Sequence, residues 1–196
     1  GEVLATRPAA IEEAHARMIS AGARVVLAAG YQVSRMGAVA SGRRPEEADE
    51  LLVEATRRAV TARDSMRAQR PGPAWVAASI GPYGAALADG SEYRGRYALA
   101  RSELAEFHRG RLTVWGEAQR RPSTRADVWW CETLPDGTEA EVLADELVRA
   151  STALGEQGLP VPEIVVTMTV RSDGRCPTGE PVDEALAPIL GGGALK

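Results

Sequence analysis

AWVAASIGPYG, residues 74–84, is a nearly continuous apolar run that breaks into a turn carrying two glycines and a proline. A short run without polar alternation suits a strand buried on both faces, as in a parallel sheet. Three further runs share its form: ARVVLAAGYQ (23–32), ADVWWCETLP (126–135) and EIVVTMTVRSDG (163–174). Each ends in polar or turn-forming residues, and the spacing between them leaves room for a crossover helix.

The intervening segments read as those helices. TRPAAIEEAHARMISAG (6–22) offers Thr6 as N-cap, Pro8 in the first turn and Gly22 as stop, with Ile11, Ala14, Met18 and Ala21 on one face. Residues 45–69 open on Pro45, Glu46 and Glu47 and close near Arg67 and Arg70, which complements the helix dipole. Residues 102–119 place Leu104, Phe107, His108, Leu112 and Trp115 near one stripe, weakened by Gly110 and Gly116. Residues 138–158 begin with a Thr138–Glu141 capping box and turn Leu143, Leu147, Ala150 and Leu154 inward. The order α-β-α-β-α-β-α-β-α predicts a parallel sheet with helices outside it. A doubly wound sheet and a (β/α)8 barrel both satisfy that order. The absence of a dinucleotide fingerprint and of a Walker-type lysine loop weighs against a nucleotide-binding doubly wound sheet. GGG (191–193) reads as a flexible tail.

Composition narrows the function classes. The 196 residues are 44% hydrophobic and 26% charged with a formal net charge of −4, as expected of a soluble globular domain. Acidic balance and scattered Lys and Arg argue against nucleic acid as partner. No apolar run approaches the roughly 20 residues that span a bilayer. Cys131 and Cys176 make no disulfide framework, so a reducing, cytoplasmic setting is expected. With only His15 and His108 besides, an N/S metal site within the chain is not expected. The chain begins with Gly1, consistent with an upstream portion beyond it.

In parallel α/β folds the chemistry gathers at the C-terminal ends of the strands. Those ends carry Tyr31-Gln32, Gly81-Pro82-Tyr83-Gly84, Glu132-Thr133 and Arg171-Ser172-Asp173. Both histidines fall within helices, where packing or solvation explains them. Glu132 stands out, because a carboxylate at the end of a buried strand requires a partner. A substrate ammonium is one candidate and an internal Arg or Lys is the other. Cys131 faces the opposite side from Glu132 by strand alternation and is expected to pack under a helix.

GPYGAALADGSEYRG (81–95) followed by Tyr97, together with CETLP (131–135), resembles the homocysteine S-methyltransferases, closest to the branch using S-methylmethionine or S-adenosylmethionine. AGYQVS (29–34) and RSDG (171–174) fall in the order expected of that family's second- and fifth-strand segments. The resemblance implies one partial homocysteine-binding domain over residues 1–196, a (β/α)8 TIM-type barrel of which strands two to five are present. It also implies that Glu132 holds the homocysteine amino group and that Tyr31 is a catalytic, active-site tyrosine near the thiol and the zinc. Ser79, Gly81, Pro82 and Thr133 would line the pocket. Asp89, Glu92, Tyr93 and Tyr97 would meet a cationic methyl donor through carboxylates and aromatic faces. A plain surface loop is the alternative for 89–95, and Trp129 and Trp130 are accounted for by strand packing.

This sequence also departs from the family pattern. The first-strand Asp-Gly motif is absent, and none of the three cysteines that hold the family's zinc falls within the chain, so no metal ligand is assigned. Residues 116–126 resemble an inserted loop. The family chemistry implied is zinc-assisted transfer of a sulfonium methyl to L-homocysteine, giving methionine, with these residues inactive alone. A non-catalytic half-barrel that binds an amino acid or a protein is the alternative, and exposed sheet edges would favour self-association.

Overall fold

The computed structural model describes residues 1–191, and part of the GGG tail read from the sequence lies outside them. Four strands, β1 (Val25–Leu27), β2 (Trp75–Ile80), β3 (Val128–Leu134) and β4 (Glu163–Met168), pair in the order β1-β2-β3-β4, all parallel. That sequential order separates the two architectures left open above. A doubly wound sheet reverses its strand order, whereas a barrel wall runs on in one direction. The sheet is part of a (β/α) barrel.

Helices cover one face. The chain opens with α1 (Glu2–Thr6) and α2 (Pro8–Ser20). It continues with α3 (Arg35–Ala40), α4 (Pro45–Met66), α5 (Tyr83–Leu87), α6 (Arg101–Ala118), α7 (Gly137–Glu156) and α8 (Val182–Gly191). Two apolar clusters lie between helices and sheet. One joins Leu4, Ile19, Val26, Ala59 and Val76, and the other joins Leu52, Ile80, Trp115, Trp129, Cys131, Leu134 and Leu147. Alternate strand residues turn to the other face, where Trp75 is 43% exposed and Val25, Val128, Trp130 and Val165 are half-buried. This is the face that a closed barrel wall turns inward.

Several local expectations change. The first helix breaks at Arg7, whose backbone leaves the helical region just before Pro8. Pro8 disfavours helical backbone in the residue before it. Thr6 therefore caps nothing at α2, and its hydroxyl donates to Glu2 O at 2.8 Å. The buried face of α2 holds His15 and Ile19 while Met18 is exposed, one position off the stripe read from the sequence. At α7 the N-cap is Asp136, whose Oδ1 accepts from Glu139 N at 2.9 Å. Gly116–Ala118 belong to α6, and the rest of the segment read as an inserted loop, 119–126, lies outside the α-helices and strands with one 3-10 turn at Pro122–Thr124. It is tied down by Gln119, which exchanges two 2.9 Å hydrogen bonds with the Ala126 backbone.

Candidate active site

The strand ends converge on β3. Between Cys131, paired with Val166, and Leu134, paired with Met168, β3 holds one residue more than β4, which makes a β-bulge at Glu132-Thr133. Thr133 takes φ +66°, an unusual conformation for a β-branched residue and one that clusters at functional sites. Its amide, displaced from the ladder, donates to Thr167 Oγ1 at 3.4 Å. The bulge lets Cys131 and Leu134 both pack on the helical side while Glu132 turns to the opposite face, where Ser79 Oγ donates to Glu132 Oε1. Among the described residues, Glu132 forms no salt bridge with Arg or Lys.

Tyr31 completes this corner. Its ring lies so close to Gly81 that a Cβ there would stand 2.5 Å from Tyr31 O and 2.8 Å from Tyr31 Cδ2. Only glycine permits that approach. The phenol is pushed to a higher pKa, first by burial; the neighbouring Thr133 side chain opposes the rise, and the negative charge of Glu92 and Glu132 adds to it. Its hydroxyl has no hydrogen-bond partner among the described residues. Pro82 precedes the first residue of α5 and directs the chain away from the strand.

The acidic, aromatic stretch divides. Glu92 is buried, with Oε2 unpartnered among the described residues, and it lies within electrostatic reach of Tyr31 together with Tyr93. Tyr93 is 61% exposed. Asp89 instead shapes its own loop by accepting from Ser91 N at 2.9 Å and pairing with Arg94 at 3.5 Å. Tyr97 packs edge-on against Tyr83 with ring centroids 5.2 Å apart, and burial followed by Glu139 raises its pKa strongly. Ser79, Gly81, Tyr31, Glu132 and Thr133 therefore meet in one corner with Glu92 and Tyr93 beside it. Asp89 and Tyr97 stand apart.

Arg111 escaped the sequence reading. It sits in α6, buried, and donates to the carbonyls of Gly81 at 2.8 Å, Tyr31 at 3.2 Å and Gly30 at 3.3 Å. The available signal was its spacing from His108 and Trp115, which put an arginine on the buried stripe of a helix.

Metal-ligating chemistry is not assembled by these residues. No group of three or more His, Cys, Asp or Glu able to hold a metal occurs among the described residues. Burial pushes the Cys131 thiol up to about 12 on the helical side of β3, so it is no ready thiolate ligand. A cysteine-held zinc does not fit the described part of the chain. No helix among the described residues is long and apolar enough to cross a membrane.

A sequentially ordered parallel sheet with helices on its outer face and a bulged carboxylate at its strand ends belongs to the (β/α)-barrel class. Residues 1–194 match the protein-family model for homocysteine S-methyltransferase, and the chain belongs to that family. It is 43% identical over 148 residues to the homocysteine S-methyltransferase YbgG of Bacillus subtilis, covering 72% of this chain and 45% of that protein. It is 34% identical over 192 residues to the homocysteine S-methyltransferase of Escherichia coli, covering 97% of this chain and 57% of that one. The crystal structure of the homocysteine methyltransferase MmuM from Escherichia coli, in its metallated form, superimposes with a TM-score of 0.84 at 33% identity. The superposition covers 99% of this chain and 63% of that one. The chain thus spans about half the length of the curated relatives it matches.

Proposed function

We propose that these residues form the homocysteine-binding part of an enzyme that moves a methyl group from a sulfonium donor to the thiol of L-homocysteine, giving methionine. S-methylmethionine and S-adenosylmethionine are the donor class. The observation that carries the reading is Glu132, a carboxylate at the strand ends held by Ser79 and left without a salt-bridge partner among the described residues. An α-ammonium group would complete it. Tyr31 would flank the reacting sulfur, and Gly81, Pro82 and Thr133 would shape the wall beside it. Glu92 and Tyr93, with Asp89 and Tyr97 setting the loop around them, would offer negative charge and an aromatic face to the sulfonium.

In the reaction the donor S–CH3 bond breaks with its electron pair returning to sulfur, which leaves as a neutral thioether. The new S–CH3 bond forms on homocysteine sulfur, which gives up its proton. Zinc dependence in this reading rests on ligands beyond the described residues, and the contribution of this chain is to bind and orient. Two free cysteines accord with a reducing, cytoplasmic setting.

The test is methyl transfer by the full-length, metal-loaded protein, followed with labelled S-methylmethionine and with S-adenosylmethionine. Labelled methionine is expected with at least one donor, and failure with both would sink the proposal. The 196-residue chain alone is expected to bind homocysteine with little turnover and to self-associate through its open sheet edges. Robust zinc-dependent turnover by that chain would overturn the second expectation.

A further inference from the structure

The β1–β2 ladder stops early. Its last register pair is Leu27 with Ala77, and one more bond, Ala28 N to Ala77 O at 2.8 Å, closes it. The exits that carry Tyr31 and Gly81 lie beyond that point, where no ladder fixes their separation. Two charged side chains from the helices take over.

Arg111 reaches in from α6 and donates to Gly30, Tyr31 and Gly81 carbonyls, so it holds both exits at once. The Phe107 and Trp115 rings flank its guanidinium, with centroids 5.2 and 5.3 Å away. Glu139 reaches in from α7 to the same turn, two residues further on. Its Oε1 accepts from Tyr83 N at 2.6 Å and meets His108 Nε2 at 2.9 Å. Arg111 is 5% exposed, and Glu139 and His108 are 0% exposed. Among the described residues the two charges do not touch each other; each holds a main-chain group of the Gly81–Gly84 turn. Burying either charge alone is costly, and burying both within reach of each other offsets part of that cost.

We infer that Arg111 and Glu139 act as a split ion pair fastened across the Gly81–Gly84 turn, and that they are positioning residues which set where Tyr31 and Gly81 stand beside Glu132. A planar guanidinium suits this role because its donors reach several carbonyls in fixed directions, which an ammonium does not. The link to substrate binding rests on the proposed homocysteine reading. The link to the turn does not.

The experiment uses Arg111→Met, Arg111→Lys, Glu139→Gln and the Arg111→Met/Glu139→Gln pair in the full-length protein. Native-state hydrogen exchange is read on peptides covering 28–34 and 81–84. In Arg111→Met these segments are expected to exchange at least about tenfold faster while β3 and α7 keep their protection. An unchanged pattern, or an equal loss of protection everywhere, overturns the positioning role. The melting temperature of the double variant should fall less than the sum of the two single losses. Additive losses overturn the ion pair. If Arg111→Met fails to fold, Arg111→Lys carries the same exchange readout. Arg111→Lys is further expected to raise KM for homocysteine about tenfold with kcat changed less than about threefold. A wild-type protein that does not bind homocysteine would defeat the functional reading and leave the exchange result to judge the clamp.

Discussion

Ser79 donates to Glu132 although the register of their strands sets Ser79 opposite Trp130. The hydroxyl therefore reaches forward to the bulge and holds the carboxylate on the face away from Cys131. A serine in this place satisfies one carboxylate oxygen without neutralising its charge. Among the described residues the second carboxylate oxygen is left free for the proposed ammonium group.

Glu132→Gln keeps the shape and removes the charge. Homocysteine binding is expected to weaken by about 2 kcal/mol or more, roughly 30-fold, since hydrogen bonds to charged groups are the stronger kind. Ser79→Ala should weaken binding less, by about tenfold, because the carboxylate remains but loses its anchor. Calorimetric titration with L-homocysteine measures both. Unchanged affinity in Glu132→Gln would remove the carboxylate from the binding role.

The sequence made the sheet legible because each strand is a compact apolar run, and the carboxylate legible because Glu132 interrupts one. What stayed hidden depends on pairing. Strand order, which separates a barrel wall from a doubly wound sheet, is a property of neighbours far apart in the chain. The bulge at Thr133 adds one residue relative to β4, and period-two alternation in a single strand cannot register it. Arg111 was concealed by its setting, since an apolar stripe is read for its apolar members. The short helix α5 lies inside the segment read as a strand exit and α3 falls between the segments assigned, and at five and six residues they are too short for a periodic signal.

The Gly81–Gly84 turn should be intolerant at both glycines. A Cβ on Gly84 would stand 2.5 Å from Tyr97 Oη and 2.6 Å from Ser91 C, and one on Gly81 would meet the Tyr31 carbonyl at 2.5 Å. Overpacking of this kind costs about 1–3 kcal/mol, so Gly81→Ala and Gly84→Ala should each lower stability by that amount. Gly110→Ala is the contrasting case. It lies inside α6 with nothing within 4 Å of its added Cβ, and the exchange should stabilise by about 0.5–1 kcal/mol. Urea unfolding of the three variants checks the ordering, and a destabilised Gly110→Ala would contradict it.

Cys131 should behave as core. Its thiol is fully buried on the helical side of β3, and burial lifts its pKa from 9.0 to about 12. In the folded protein it should resist iodoacetamide at pH 8 and react only on unfolding, as read by peptide mapping. The pKa also sets a pH dependence. Below pH 9 the thiol is protonated in both states and its contribution to stability is complete; from 9 towards 12 the unfolded chain loses the proton first, and the contribution declines. Comparing wild type with Cys131→Ala isolates this term from the other groups that titrate in the same range. The stability gap between them should be about 1 kcal/mol or more at pH 8 and should shrink as the pH is raised above 9. A gap that widens with pH would mean that the folded protein favours the thiolate, and Cys131 would then belong with the chemistry of the site.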